Sequence, residues 1–315
     1  MNKVPFLVGP TASGKTAVAL IVAEKLGAQI ISADSRQIYR GMAIGTAQPR
    51  PDELARVLHH FVGCLDREEN FSAGEYGRQA RAKIVELLEK GVVPLVVGGS
   101  GLYISALADD FFSGPAADPD IRAKLREIAE KRGSEALHRK LQKVDPASAD
   151  KIMASDYRRI ERALEIYYLT GIPISELRRE KANPPTYTPV MAGLEWPRDQ
   201  LYDRINARCL QMLEDGLIEE VKTLIAGEKI DRDDFWISFN ALNSVGYVEV
   251  IQHLQGHIDY AEMVRLFQRN SRRFAKRQIS WFGRDGRIRW IKMEENTSIE
   301  TCADQILEWY REAGI

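Results

Sequence analysis

The sequence has little cysteine, no long apolar run and almost no net charge. Its three cysteines, Cys64, Cys209 and Cys302, are too few and too scattered for a disulfide framework or a zinc cluster. No stretch reaches the roughly 18 apolar residues that a membrane helix needs. The first residues lack the basic and apolar regions of a signal peptide. We therefore expect a soluble protein of the reducing cytoplasm that has no membrane partner.

The charge balance excludes a chain that is basic throughout, as many dedicated nucleic-acid domains are. The net charge is −1, with 28% charged and 44% hydrophobic residues, a composition typical of a globular protein. A chain of 315 residues commonly forms two lobes or a domain with an insertion. Any nucleic-acid surface must therefore be local.

Short apolar runs alternate with helical patterns in the first third of the chain. The predicted strands are residues 4–8, 29–32 and 92–97, and the predicted helices are residues 15–26 and 74–90. Gly27 and Gly91 follow the helices, where a glycine commonly ends one. Strands that are apolar throughout are typical of a parallel sheet covered by helices on both faces. The sequence therefore predicts an α/β fold of the P-loop NTPase type.

The pattern changes near residues 113–115. Between residues 119 and 177 the apolar residues recur at helical spacing and no strand is indicated. Residues 181–185, which end in two prolines, resemble an exit linker, and a strand signal returns at residues 190–194. We divide the chain into a first part of the P-loop core at 1–114, an all-helical insertion at 115–183, and a second core part with a helical C-terminal region at 184–315.

Three elements are predicted in the last part: a long helix at residues 201–226, a basic helix at 260–282 and a final strand at 288–291. One face of the basic helix carries Arg265, Arg269, Arg272, Arg273 and Lys276, and another carries Phe267, Phe274 and Trp281. A basic face over an aromatic core face fits contact with an RNA backbone. It fits an ordinary charged helix nearly as well.

A phosphate-binding motif lies between the first strand and the first helix. The segment matches G-x-x-x-x-G-K-[ST], whose glycines let backbone N–H groups surround phosphate oxygens at a helix N-terminus. Lys15 adds a positive charge, and the Thr16 hydroxyl can hold Mg²⁺. The residues predicted to bind a di- or triphosphate are Gly9, Pro10, Thr11, Ala12, Ser13, Gly14, Lys15 and Thr16.

Nucleotide hydrolysis is less well indicated than phosphate binding. An NTPase commonly has a second apolar strand that ends in an acidic residue to order Mg²⁺. The strand at residues 92–97 is followed instead by Gly98 and Gly99, which suit a backbone closely approached by a ligand. The first acidic residue after the P-loop helix is Asp34. It is either a catalytic group at the ligand-binding edge of the sheet or a turn residue.

For three other sets of polar residues, the sequence leaves both a functional and a structural interpretation open. Arg204 and Arg208 lie one helical turn apart beside an apolar stripe, where a solvated flank is the commoner arrangement. The adjacent pair His59 and His60 favours structural roles, because neighbouring side chains diverge in an ordered element. His253 and His257 have the spacing of zinc ligands, but a glycine separates them and no third ligand is evident.

Taken together and in order, the motifs resemble one family, the tRNA dimethylallyltransferases, also called tRNA isopentenyltransferases. The likeness covers nearly the whole chain, and the ordered set is far more specific than the P-loop alone. The motifs are residues 9–16, 33–39, 41–47, 59–60, 98–103, 158–165, 246–247 and 275–282.

The resemblance implies transfer of a dimethylallyl group from dimethylallyl diphosphate to N6 of the adenosine 3′ of the anticodon. The P-loop, Arg204 and Mg²⁺ on Thr16 would hold the diphosphate, Asp34 would accept the N6 proton, and Ser100 would hydrogen-bond near the reacting groups. The chain would be a monomer whose insertion binds the tRNA anticodon stem-loop. The implied tRNA contacts are Asp34, Ser35, Arg36, Gln37, Ser100, Arg122, Arg158, Arg159, Ile160, Glu161 and Arg162.

The chain departs from the family pattern at three positions. The family commonly has Asp, Lys and Thr where this chain has Ala43, Gln48 and Ser100. Ser100 keeps the hydroxyl group, whereas Ala43 and Gln48 remove two charges near the predicted active edge.

Three other functions compete with tRNA modification. A small-molecule kinase has the same ATP-binding loop, a free-nucleotide isopentenyltransferase has the same chemistry, and an RNA-binding protein needs no catalytic group. The missing acidic residue at the strand end and the helical insertion disfavour the kinase, and the insertion and the basic helix favour tRNA over a free nucleotide. Lys15, Thr16 and Asp34 are all present, which favours an enzyme over the third.

Overall fold

A computed structural model describes residues 1–109, 111–112, 114–180, 184–230 and 239–315. The described residues form two compact units, which we call the core unit and the helical unit. The core unit comprises Met1–Ser72, Gln79–Ala108 and Pro185–Ile315, and the helical unit comprises Ala73–Arg78 and Asp109–Pro184. Ser113 and most of the predicted exit linker lie outside the described residues. The tRNA-binding role of the insertion stays a prediction.

Six strands and fifteen α-helices are found in the described ranges. The strands are β1 (Lys3–Val8), β2 (Gln29–Ser32), β3 (His59–His60), β4 (Pro94–Gly98), β5 (Thr188–Glu195) and β6 (Ile288–Lys292). The helices are α1 (Lys15–Leu26), α2 (Ala43–Thr46), α3 (Pro51–Arg56), α4 (Ala73–Glu89), α5 (Gly101–Ala108), α6 (Pro119–Arg132), α7 (Ser134–Val144), α8 (Pro146–Ala149), α9 (Tyr157–Thr170), α10 (Ile174–Glu180), α11 (Arg198–Glu214), α12 (Leu217–Leu224), α13 (Tyr247–Leu254), α14 (Tyr260–Phe282) and α15 (Ile299–Glu312). None of these helices is long and apolar enough to cross a membrane.

The strands form one sheet in the order β3-β2-β4-β1-β5-β6, and every pairing is parallel. This confirms the predicted α/β class. Five consecutive residues of β1, from Val4 to Val8, are buried, as expected for a strand with both faces covered. The parallel arrangement brings the carboxyl ends of β1, β2 and β4 to one edge of the sheet, where ligands of such folds bind.

One face of the sheet packs against α1 and α15. Leu7, Ile30 and Leu95 from three strands join apolar residues of both helices in one buried cluster. The buried Tyr310 hydroxyl of α15 donates to the Phe6 carbonyl over 2.7 Å. Gly27 ends α1 in a left-handed conformation with φ 60°, as a helix-terminating glycine commonly does. The C-terminal helix therefore fixes the strand and the helix that flank the P-loop.

One predicted element differs from the structure, and several observed elements were not predicted. The single helix expected at residues 201–226 is two helices, α11 and α12, because Gly216 interrupts it with φ 101°. The short strand β3 and the helices α2, α3, α5, α13 and α15 were not predicted. Two residues are too few for β3 to show a period.

The predicted basic helix is confirmed as α14, but its aromatic core face is partly wrong. Phe267 is buried, with 3% of its surface exposed, whereas Phe274 and Trp281 are 36% and 39% exposed. A stripe of period seven drifts around a straight helix of 3.6 residues per turn. The later two rings therefore leave the core and stand at the surface.

The helical unit has its own core around a buried carboxylate. Glu165 of α9 has a fully buried side chain that accepts hydrogen bonds from Arg122 at 2.7 Å and Arg162 at 2.6 Å. It also accepts from the Asp118 backbone N–H at the start of α6. Burial acts to raise the pKa of Glu165, but the two guanidinium groups outweigh it and leave that pKa lowered.

We expect Glu165→Gln to destabilise the helical unit by about 1–3 kcal/mol at pH 7, because two guanidinium groups lose an ionised acceptor. A carboxyl group whose folded pKa is lowered stabilises above its unfolded pKa of about 4.3 and loses that effect as pH falls further. Urea unfolding followed by circular dichroism measures the difference. The exposed Glu130→Gln is the control, and equal stability of both variants at pH 7 would contradict the expectation.

Candidate active site

The P-loop turns tightly between β1 and α1. Gly9 and Gly14 have φ values of 146° and 93°, and Ala12 adopts a left-handed conformation with φ 61°. Glycine accepts such angles without the steric cost of a Cβ atom. Because α1 begins at Lys15, the backbone N–H groups of its first turn have no carbonyl partner within the helix. Those groups and the helix dipole favour an anion at this point.

Three side chains, two of them from later in the chain, donate hydrogen bonds to carbonyl groups of the loop. Lys15 Nζ donates to the Pro10 carbonyl at 2.6 Å, Arg204 Nε to the Ala12 carbonyl at 3.0 Å, and Trp196 Nε1 to the Ser13 carbonyl at 2.9 Å. These hydrogen bonds offset the partial negative charge of three loop carbonyl groups, which would otherwise disfavour an anion nearby.

A buried amide links the loop to the neighbouring strand. Gln278 of α14 accepts from the Thr11 N–H at 2.8 Å and donates to the Gly99 carbonyl at 2.9 Å. A Cβ atom at Gly99 would lie 2.4 Å from the Gln278 amide nitrogen. Sequence reasoning placed Gln278 in the motif at 275–282 but gave it no role. Only the fold shows that it bridges two loops that lie 267 and 179 residues earlier in the chain.

The glycines that follow β4 make room for protein atoms. A Cβ atom at Gly98 would lie 2.2 Å from the Ala33 carbonyl oxygen, and one at Gly101 would lie 2.5 Å from the Trp281 ring. The interpretation that Gly98 and Gly99 are approached by a ligand is therefore corrected in part. Both line the cavity described below, but their nearest neighbours are the end of β2 and α14.

Asp34 is both a turn residue and a group of the site. Its Oδ1 accepts from the backbone N–H groups of Arg36 at 2.8 Å and Gln37 at 3.3 Å. Within the described part of the chain, no donor engages its second oxygen, Oδ2. The turn interpretation is therefore confirmed for Oδ1, whereas the catalytic interpretation stays a prediction that Oδ2 could fulfil.

Hydrogen bonds of Ser100 connect the Asp34 turn to the residues that follow β4. Its hydroxyl accepts from the Ser35 N–H at 2.9 Å and donates to the Ser35 hydroxyl at 3.2 Å. The Ser100 N–H donates to the Ala33 carbonyl at 3.2 Å. The Ser100 hydroxyl, which the family's usual threonine would also have, therefore stabilises the turn through its hydrogen bonds to Ser35.

A single cavity of about 830 Å³ brings these groups together. The P-loop residues from Thr11 onward line it with Asp34, Ser100, Arg204 and Gln278. All of these residues belong to the core unit. Six predicted phosphate-binding residues and the predicted catalytic residues therefore line one cavity, whereas Gly9 and Pro10 are not among its lining residues.

The cavity also contains Arg208, which the sequence left as a solvated flank. Arg208 is half-buried, and burial lowers the pKa of its guanidinium while Asp34 opposes that shift. Burial lowers the pKa of Lys15 to about 7, with a smaller contribution from the Arg208 charge, while Asp34 acts to raise it. Lys15 and Arg208 thus line one cavity, and an anionic ligand would stabilise both cations.

Arg204 is held in place by an aromatic ring. Its guanidinium carbon lies 4.3 Å from the centroid of the Trp196 ring, and its Nε bonds the P-loop carbonyl of Ala12. A stacked guanidinium keeps its terminal N–H groups for a ligand. A Cβ atom at Gly14 would lie 3.8 Å from one terminal nitrogen of Arg204, which places that nitrogen beside the P-loop.

The predicted tRNA contacts lie in both units. In the core unit, Arg36 donates to the Asn240 carbonyl at 2.9 Å. In the helical unit, Arg158 and Arg159 are exposed, while Arg122 and Arg162 are engaged with Glu165. The remaining three predicted contacts, Ser35, Gln37 and Glu161, are partly exposed.

One predicted tRNA contact is corrected. Ile160 has 0% of its surface exposed and packs in the core of the helical unit with Leu125, Leu137 and Leu164. Its side chain therefore has no surface to offer RNA. It lies on the buried stripe of the amphipathic helix α9, between arginines that face solvent.

The histidines occupy structural positions. His59 Nδ1 lies 2.8 Å from the Val57 carbonyl oxygen, and His60 Nε2 lies 2.8 Å from the Gln29 side-chain oxygen. His253 Nδ1 lies 3.1 Å from the Ile258 carbonyl oxygen. In the described ranges, no three His, Cys, Asp or Glu side chains cluster closely enough to hold a metal ion.

At one of the unusual positions, the structure shows what the replacement does. Gln48 Nε2 donates to the carbonyl groups of Gln37 and Tyr39, both at 2.7 Å. A neutral amide therefore braces the segment that follows Asp34. The Ala43 side chain is exposed at the start of α2, and nothing in the structure explains this residue.

Fold and site together define a P-loop protein whose phosphate loop shares its cavity with a carboxylate and two arginines. The family model described as IPP transferase matches residues 37–285 of this chain. The chain therefore belongs to the IPP transferase family, and the predicted tRNA dimethylallyltransferase resemblance is confirmed.

Relatives and solved structures agree. The tRNA dimethylallyltransferase of Pelotomaculum thermopropionicum is 43% identical over 308 residues, which cover 97% of this chain and 96% of the relative. That of Geobacter sulfurreducens is 43% identical over 306 residues, covering 96% of each. The full-length tRNA isopentenylpyrophosphate transferase of Bacillus halodurans is 38% identical with a TM-score of 0.69, covering 99% of this chain and 98% of that one. A eukaryotic dimethylallyltransferase described as acting on tRNA is 25% identical with a TM-score of 0.81, covering 97% and 77%.

We expect pyrophosphate binding to transfer a proton to Lys15. With a pKa of about 7, its free amine is largely neutral at pH 8, and a bound anion favours the ammonium form. Calorimetry at pH 8 in buffers of different ionisation enthalpy measures how many protons the protein takes up when pyrophosphate binds. The wild type should take up about one proton more than Lys15→Met. Equal uptake by the two proteins would contradict the lowered pKa.

We expect Gln278→Met to weaken pyrophosphate binding, because the buried Thr11 N–H and Gly99 carbonyl lose their partner. Leaving such a group unsatisfied costs about 1–3 kcal/mol, so a rise of roughly tenfold in Kd is expected. Titration calorimetry measures it, with the exposed Gln142→Met as the control. An unchanged Kd in a folded Gln278→Met protein would show that the bridge does not shape the loop.

Proposed function

We propose that this chain transfers the dimethylallyl group of dimethylallyl diphosphate to N6 of the adenosine 3′ of the anticodon in tRNA, releasing diphosphate. The observation that carries the proposal is the single cavity, in which a phosphate loop and two arginines face a carboxylate with one uncommitted oxygen. The names of the relatives and the tRNA substrate of the eukaryotic structure support it.

The diphosphate would lie on the first turn of α1. Backbone N–H groups there, with Lys15, Arg204 and Arg208, supply positive charge where the leaving group gains negative charge. The lowered pKa of Lys15 fits this role, because the bound anion replaces the solvent that burial removes. These groups stabilise the transition state more than the ground state, since the charge on the diphosphate grows as the C–O bond breaks.

Asp34 would receive the proton. The N6 nitrogen forms a bond to the allylic carbon, the C–O bond breaks, and the electron pair leaves with the diphosphate. Oδ2 of Asp34 then accepts the N6 proton, while Oδ1 stays bonded to the turn. Because a carboxylate is a weak base for an aromatic amine, placement of the acceptor nitrogen contributes much of the rate.

Magnesium is part of the proposal. The Thr16 hydroxyl lines the cavity, and Mg²⁺ is commonly held by few protein groups together with substrate phosphates and water. The absence of a carboxylate cluster in the described ranges fits such a site, with Thr16 as the protein ligand. Bound there, Mg²⁺ would neutralise charge on the departing diphosphate.

The tRNA surface would include the exposed part of α14. Arg273, Lys276 and Arg277 are exposed and form no ion pair with any acidic residue that the structure describes. Phe274 and Arg277 line the cavity itself. Unpaired cations attract RNA phosphates, and an exposed ring beside them can stack on an unstacked base. Because the net charge of the chain is −1, a surface that binds RNA must be local, and this exposed part of α14 would be such a surface.

We expect Asp34→Asn to lower kcat for tRNA by roughly 10²–10⁴-fold, because the amide cannot accept a proton. Its oxygen still accepts from the turn, so the KM for dimethylallyl diphosphate should change little. The assay follows radiolabelled dimethylallyl transfer to unmodified tRNA with Mg²⁺ present, and with a chelator in a parallel reaction. The exposed Asp304→Asn, whose carboxylate pairs with Lys25 on the surface, is the control.

The same assay separates the competing functions. Label in AMP rather than tRNA would assign a free-nucleotide isopentenyltransferase. Transfer of the ATP γ-phosphate with no label in tRNA would assign a kinase and overturn the proposal. Full activity of Asp34→Asn would keep the reaction but remove Asp34 as the base. Activity that persists in the chelator would remove Mg²⁺.

A further inference from the structure

Two sequence motifs have no part in the chemistry proposed above: residues 41–47 and the pair Gly246-Tyr247. The structure joins them through one carboxylate. Glu220 of α12 accepts from the backbone N–H groups of Ile44 at 2.7 Å and Gly45 at 3.0 Å. Its Oε1 also accepts from the Tyr247 hydroxyl at 2.6 Å. The short helix α2 is therefore held to two helices that lie far from it in sequence.

The packing of α2 against Tyr247 leaves no space for a side chain at Gly45. A Cβ atom there would lie 2.5 Å from the Tyr247 ring and 2.8 Å from Leu217. Tyr247 itself has 0% of its surface exposed. Burial and the Glu220 carboxylate raise the pKa of Tyr247, so its hydroxyl remains a donor at any ordinary pH. The backbone of α2 therefore lies directly on the aromatic ring, and the carboxylate fixes it there.

From α2 the hydrogen bonds continue to the proposed base. The side-chain amide of Gln37 donates to the carbonyl groups of Thr46 at 3.3 Å and Ala47 at 2.8 Å. The backbone N–H of the same residue donates to Asp34 Oδ1. Gly45, Thr46 and Ala47 also line the cavity. The segment that Glu220 holds is thus both a wall of the site and a support of the Asp34 turn.

We propose that Glu220 and Tyr247 are positioning residues for the transfer reaction, acting through α2 and Gln37 to fix the Asp34 carboxylate. Neither touches the reacting atoms. This inference rests on the proposed function, since it assigns the pair to the side of the site that meets the acceptor base. The diphosphate side depends instead on Gln278, Trp196 and Arg204.

The test compares Tyr247→Phe and Glu220→Gln with the matched surface variants Tyr260→Phe and Glu219→Gln. Tyr247→Phe keeps the buried ring and loses only the hydroxyl. Both test variants should lower kcat for tRNA by roughly 10–100-fold, the scale of a small misplacement of a catalytic group. The KM for dimethylallyl diphosphate and the Kd for pyrophosphate should stay within about twofold of wild type, because the P-loop keeps its own supports.

Amide hydrogen exchange measures how firmly Glu220 and Tyr247 hold α2, and it does so independently of the reaction. The Ile44, Gly45 and Gln37 amides should exchange at least about tenfold faster in Tyr247→Phe, since local opening becomes easier. Unchanged kcat and exchange in folded Tyr247→Phe would overturn the proposal. So would a parallel loss of pyrophosphate affinity, because it would indicate general destabilisation. If Glu220→Gln does not fold, the result for Tyr247→Phe alone tests the proposed positioning role.

The outcomes also separate this inference from the proposed function. Wild-type protein that labels no tRNA refutes the proposed function, whatever the variants do. Wild-type protein that labels tRNA, with Tyr247→Phe equal to it in kcat, refutes only the positioning role.

Discussion

The parallel pairing of β1, β2 and β4 is the constraint on which the site depends. These three strands are neighbours, and the register that pairs Val8 with Gly98 and Ser32 with Val97 aligns their carboxyl ends. The P-loop follows β1, Asp34 follows β2, and Ser100 follows β4. Backbone hydrogen bonds between strands therefore bring an anion-binding loop and a carboxylate into one cavity, and α-helices on both faces keep them there.

Each side of that cavity is then fixed by side chains that arrive from later in the chain. Trp196 and Arg204 donate to carbonyl groups of the phosphate loop, and Gln278 accepts from its Thr11 N–H. Lys15 and Arg208 are held near each other, and desolvation lowers the pKa of both. Under the proposed function, a bound diphosphate would offset this unfavourable electrostatic energy.

Asp34 closes a turn and is also the proposed base in the cavity. Its Oδ1 closes the turn that carries it, and its Oδ2 has no donor among the described residues. A free carboxylate on a loop would sample many orientations, and fixing it through one oxygen limits them. Ser100 and Gln37 extend this fixation to β4 and α2.

The sequence by itself determined the α/β class, the phosphate loop, most strands and the basic helix, because local periodicity and glycine positions encode them. Motif order also determined the family. The sequence did not show that Arg208 enters the cavity or that Gln278 bridges two distant loops. It also did not show that Ile160 is buried, that Gly216 divides a helix, or that Glu220 holds α2. Those features arise from contacts between residues far apart in the chain, so only the tertiary structure decided them. A side chain's partners depend on which elements pack against it, and no local pattern records that packing.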